Sequence, residues 1–258
     1  MGDRTCMSIR GDAAEPLGAP FFIIGAPRSG TTYLREILNR HPQILITNET
    51  RVMIFINRMN RLGDNKRLIL HQRQEWMATL REWVPLMIED YYRQLGALPG
   101  MRWGDKYPHY ADPKTDPECL SLIDSMFPTS QFVDIVRNGR DVAASIAAKD
   151  WKDAAEALDV WERHVHHASV FGESIGTERM IRIRYEALRD HAQPVISDVL
   201  GFLGLETAPD VEMFLQDQER HRTPFSRPMS DLMTGGAPPR LEGPMPPSTR
   251  DLLRSLGY

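Results

Sequence analysis

The stretch that most restricts the fold runs from Phe21 to His41, FFIIGAPRSGTTYLREILNRH. Phe21 to Ile24 make a short apolar run closed by Gly25, and Tyr33, Leu34, Ile37 and Leu38 then recur at helical spacing. A buried strand therefore feeds a Gly/Ser/Thr turn that opens a helix. The first N–H groups of a helix have no intrahelical partner and lie at the positive end of its dipole, so such a turn favours a bound anion. Ser29, Gly30, Thr31 and Thr32 are predicted to hold it, with Gly30 letting the backbone approach closely and Arg28 adding a guanidinium fork. Gly25 to Gly30 starts like the phosphate loop GxxxxG, but Thr31 and Thr32 follow where a nucleoside-triphosphate site carries Lys and then Ser or Thr.

A second unit of the same kind lies about a hundred residues on. Gln131 to Val136 is an apolar strand that runs into Arg137-Asn138-Gly139-Arg140-Asp141 and then a helix through Ala148. Arg137 at the strand end and Ser145 two turns later suit a second phosphate, held between a guanidinium and a hydroxyl. The fold predicted from these units is α/β, a P-loop-like three-layer arrangement with a central parallel sheet flanked by helices.

With 258 residues, 41% of them hydrophobic, the chain suffices for one full core. One domain is expected over 21–258, preceded by a polar, flexible tail at 1–20. The proline-dense stretch 220–247 is a predicted lid in which Arg222, Ser226 and Arg227 add anion-binding capacity. A formal net charge of -4 argues against a nucleic-acid partner. No apolar run is long enough to span a bilayer, and the only cysteines are Cys6 and Cys119, so a cytoplasmic protein without disulfides or membrane partner is expected.

Other residues acquire meaning by position. Leu45 to Thr47 is a short strand, and Glu49 just after it would stand on the rim where strand ends of a parallel sheet meet a ligand. The same glutamate also suits a helix N-terminus. Trp103 to His109 is read as a strand ending in a turn that delivers Lys106 and His109, the first able to stabilise charge on a leaving oxygen and the second to act as a base; either could equally be plain surface. From Arg51 to Arg73 the cations Arg51, Arg58, Arg61, Lys66, Arg67 and Arg73 face one acid, Asp64, the pattern of a solvated helix or of a surface receiving an acidic acceptor. Trp76, Leu80, Trp83, Met87 and Tyr91 form a helical stripe read as core or homodimer surface, with Pro85 kinking that helix or starting a new one. His164 and His167 stand one turn apart, yet no carboxylate or cysteine cluster near them completes a site, so no metal is expected. Ser248 or Thr249 is predicted to cap a last helix through Leu256.

With both strand–turn–helix units and Glu49 in view, the chain resembles the sulfotransferases that use 3'-phosphoadenosine-5'-phosphosulfate (PAPS). Their 5'-phosphosulfate loop looks like Pro27 to Thr32, and their 3'-phosphate motif like Arg137 with Ser145 eight residues later. The likeness is greatest to the tyrosylprotein sulfotransferases, through Arg28 to Arg51, Tyr185-Glu186-Ala187-Leu188 and Leu256-Gly257-Tyr258. The resemblance implies Glu49 as catalytic base, Lys106 serving the leaving group and Arg28 contacting the transferring group. It also places Thr31, Thr32, Arg137, Ser145 and Tyr185 at the nucleotide, PAPS as co-substrate without metal, and a tyrosine, phenol or other alcohol as acceptor. A nucleotide kinase and a non-catalytic nucleotide-binding module are the alternative readings, the kinase disfavoured by the missing loop lysine.

Overall fold

The computed structural model describes residues 15–62, 70–220 and 245–258. Residues 1–14 of the expected tail and most of the expected lid, with Arg222, Ser226 and Arg227, lie outside them. From Glu15 onward the chain is pinned: Gly18 N–H donates to the Met101 carbonyl (2.9 Å), Gly100 N–H to that of Pro16 (3.0 Å), and Leu17 is buried.

Five strands, β1 (Pro20–Ile24), β2 (Ile44–Asn48), β3 (Arg102–Lys106), β4 (Gln131–Val136) and β5 (Met180–Arg184), pair in the order β2-β3-β1-β4-β5, all parallel. Parallel pairing needs crossovers, which cover both faces and leave a strand no polar side, hence the unbroken apolar run of β1. Phe21 and Ile23 pack with Val133, Ile135 and Ile183 under α1 (Thr31–Leu38), α8 (Ala192–Phe202) and α9 (Pro209–Arg220). Phe22 and Ile24 point the other way, toward Trp103, Phe132, α2 (Val52–Leu62), α3 (Leu70–Gln94) and α4 (Cys119–Met126). Helices α5 (Gly139–Ala147) and α6 (Ala154–Ile175) close a third apolar cluster around Val136 and Trp161 with α10 (Pro247–Ser255), and α7 (Tyr185–Asp190) follows β5 directly. The three-layer α/β architecture is the one expected.

Two local expectations change. Helix α3 runs through Pro85 without ending, and its buried positions are Leu80, Val84, Ile88 and Tyr92, whereas Trp76, Trp83, Met87 and Tyr91 are exposed. Of the expected stripe only Leu80 is core; the helix carries apolar residues on two faces, and packing against the sheet selects the other one. At α10 the N-cap is Pro246, with no side-chain cap, because the Thr249 hydroxyl is spent on Glu162 of α6 (2.8 Å).

Candidate active site

Each strand leaves its carboxyl end into a residue singled out above: β1 into the Arg28 loop, β2 into Glu49, β3 at Lys106 itself, β4 into Arg137 and β5 into Tyr185. The register aligns these exits, Asn48 beside Lys106 and Val136 beside Arg184. The sequence order reverses around β1, which has β3 on one side and β4 on the other, and a ligand crevice belongs at such a switch point.

The turn after β1, where an anion is expected, is closely constrained. Gly30 is the N-cap of α1 at φ 98°, and a methyl group there would lie 2.4 Å from the Tyr185 ring, so both backbone and space demand glycine. The Ser29 hydroxyl is fully buried with no hydrogen-bond partner among the described residues, an orphan polar atom beside a helix N-terminus that the oxygen of a phosphate or sulfate would satisfy.

The two anion motifs touch. Arg28 Nε donates to Ser145 Oγ at 2.9 Å across 117 residues of chain, and Arg137 Nη1 donates to the Arg28 carbonyl at 3.1 Å. The Arg137 guanidinium lies 4.7 Å over the Tyr185 ring, a cation–π contact that holds it at the mouth of the Gly30 turn. Its own carbonyl accepts from Trp161 Nε1 (2.9 Å). Next to it the Asn138 side chain caps α5 through Arg140 N–H, while Asn138 N–H donates to Glu186 Oε1 (3.0 Å) and the Tyr258 hydroxyl to Glu186 Oε2 (2.7 Å).

Across the sheet from Arg137, the Lys106 ammonium donates to Glu49 Oε1 at 2.7 Å. Lys106 is 1% exposed and Glu49 37%, so the lysine is enclosed while the carboxylate reaches solvent. Beneath them Asp105, pointing to the opposite face, accepts from Thr47 (2.8 Å), Thr50 (3.0 Å) and the Tyr110 hydroxyl (2.6 Å). This network grips the residues on either side of Glu49. Arg28, Glu49 and Arg51 all have positive φ (71°, 55° and 60°), the left-handed region that costs a non-glycine residue of order 1 kcal/mol or more and persists where surroundings enforce it.

Other expected residues lie elsewhere. His109, on the 3₁₀ turn Pro108–Ala111, is turned to Asp112 and His164. Arg58 of the basic run pairs with buried Asp116 (3.2 Å), and Arg51 stacks on Tyr107, so part of that run is structural. Around His164 the structure gathers Asp112 and His109, far from it along the chain and not marked by sequence spacing, whereas His167 is not part of that group. Sequence reasoning missed Trp151, 60% exposed with its ring 5.9 Å from the Arg28 guanidinium, and Asp105, which no periodicity marks.

Comparison with known proteins identifies the family. Residues 20–209 match the model of the Sulfotransferase family. Protein-tyrosine sulfotransferase A of Caenorhabditis elegans is 26% identical over 77% of this chain, and protein-tyrosine sulfotransferase of Drosophila melanogaster 26% over 82%. The aligned parts are 53% and 42% of those proteins, so the chain spans about half the length of the curated relatives it matches. In fold, the sulfotransferase domain from the curacin biosynthetic pathway superposes with TM-score 0.65 at 18% identity, covering 95% of this chain and 99% of that one. Strand exits, paired anion motifs and a family match over most of the chain lead to one conclusion: this protein belongs to the sulfotransferase family.

Proposed function

We propose that the protein moves a sulfuryl group from PAPS to an acceptor hydroxyl. The observation that carries this reading is the Arg28–Ser145 hydrogen bond, which makes the two anion motifs one continuous cradle beside the Glu49–Lys106 pair. The turn Ser29 to Thr32 with Arg28 would hold the 5'-phosphosulfate end of the nucleotide, and Arg137 with Ser145 the 3'-phosphate; the Ser29 hydroxyl and the Gly30 cradle fit such a group. When bound, PAPS supplies an electrophilic sulfur with a stabilised bisphosphate as leaving group. Glu49 accepts the acceptor hydroxyl's proton as the new S–O bond forms. Lys106 and Arg28 donate to oxygens that gain charge as the old S–O bond breaks, so catalysis is positioning and charge stabilisation. Exposed Arg51, two residues after Glu49 and stacked on Tyr107, gives Glu49 a basic neighbour suited to an acidic acceptor.

Thermal shift with adenosine 3',5'-bisphosphate and with Mg-ATP, followed by labelled-sulfate transfer across phenols, sugars, lipids and acidic or neutral tyrosine peptides, tests the proposal. Protection by the bisphosphate alone, with transfer to at least one hydroxyl class, is the expected result. Protection by Mg-ATP alone would assign phosphoryl transfer, and protection by the bisphosphate without transfer would leave a nucleotide-binding module.

A further inference from the structure

We propose that His109, Asp112 and His164 form a binding site for a divalent first-row transition ion, which fastens α6 to the segment that leaves β3. Two imidazole nitrogens and a carboxylate oxygen, each able to coordinate, lie within 4.8 Å of one another.

His164 is prepared for this role. It is 1% exposed, and its Nδ1 lies 2.7 Å from the Val160 carbonyl, a contact in which the ring nitrogen must carry the proton and donate. The lone pair therefore sits on Nε2, which is buried without a hydrogen-bond partner among the described residues. A ring N–H fixed by a backbone carbonyl, with the other nitrogen left as acceptor, is the arrangement of a metal-binding histidine.

The other two ligands are oriented toward it. His109 Nδ1 is also buried without a hydrogen bond and stands 3.7 Å from Asp112 Oδ2, beyond hydrogen-bond range. Asp112 is held by the Thr115 hydroxyl on Oδ2 (2.6 Å) and by Lys114 N–H on Oδ1 (3.1 Å). The nearby Arg163 cation approaches the far oxygen, Oδ1, at 3.6 Å and also pairs with Asp159, which leaves the His109 side of the carboxylate to a second cation.

Donor type selects the ion class. Nitrogen donors with one oxygen suit Zn²⁺, Co²⁺ or Ni²⁺ and not Mg²⁺ or Ca²⁺, which take oxygen cages. Bonds of about 2.0–2.1 Å place tetrahedral ligand atoms roughly 3.3 Å apart, so the cluster closes by about an ångström on binding. His109, with 37% of its side chain exposed, has room to make that move. It lies three residues after Lys106, so the ion would also steady the exit of β3.

The test is a titration of the tag-free, chelator-stripped full chain with Co²⁺, read by visible ligand-field absorption, and with Zn²⁺, read by competition with a chromogenic chelator. One equivalent should bind and raise the melting temperature. His109→Gln and His164→Gln should each weaken that binding by at least about a hundredfold, while His191→Gln, an exposed histidine elsewhere, should leave it unchanged. Absence of stoichiometric binding, or binding indifferent to His109→Gln, overturns the proposal. Half-exposed His109 keeps the test decisive if His164→Gln, in the core, fails to fold.

Discussion

At the scale of single residues, the Glu49–Lys106 pair poses a physical problem: a lysine almost wholly removed from water with, among the described residues, one carboxylate partner. Replacing that carboxylate by an apolar group strands a buried cation, so Glu49→Ala tests stability as much as chemistry. Glu49→Gln is cleaner, because the amide oxygen still accepts from Lys106 but takes no proton. It should bind adenosine 3',5'-bisphosphate as the parent does and lower kcat by at least about a hundredfold, measured by calorimetry and by initial rates. Near-parental kcat would move proton acceptance to another side chain. The strand-end positions of Arg28, Glu49 and Arg137 could be read from the sequence because each closely follows an apolar run, and that of Lys106 because it stands just before the Tyr107-Pro108 turn. Their mutual contacts could not: Arg28 meets Ser145 from 117 positions away, and His109 meets His164 only because α6 packs beside the turn after β3.

At the scale of elements, α3 shows where pattern reading loses its footing. Its apolar residues lie both on the buried row Leu80, Val84, Ile88 and Tyr92 and on the exposed row Trp76, Trp83, Met87 and Tyr91. A 3.6-residue period accommodates either row, and only the curved surface offered by Trp103, Met53 and Leu120 decides between them. Ile88→Ala should therefore cost about 2–5 kcal/mol in denaturant unfolding, and Met87→Ser no more than about 0.5 kcal/mol. Equal losses would place the helix in the wrong rotation. Sedimentation of the parent and of Met87→Lys examines the exposed row separately: a homodimer across that face should revert to monomer in the variant.

At the scale of the whole molecule, residues from the far end of the chain support the site. Tyr258 bonds Glu186, Glu186 holds the Asn138 amide, and Asn138 starts the helix that carries Ser145. Among the described residues no helix is long and apolar enough to cross a membrane. Tyr258→Phe removes one hydrogen bond to a carboxylate without opening a cavity. It should raise the KM for PAPS at least a few-fold with kcat preserved, drawing on the roughly 1.5–3 kcal/mol that a hydrogen bond to a charged group contributes. A change in kcat with an unaltered KM would show that the terminal tyrosine acts on the reaction step and not on the nucleotide's footing.

The bond between the Arg28 guanidinium and the Ser145 hydroxyl has one more implication, for anyone wishing to redesign donor choice. Because the two loops proposed to grip the ends of the nucleotide are hydrogen-bonded to each other, a substitution on one shifts the other; under that proposal, a protein remade to accept a donor lacking one terminal charge would need compensating substitutions on both loops at once.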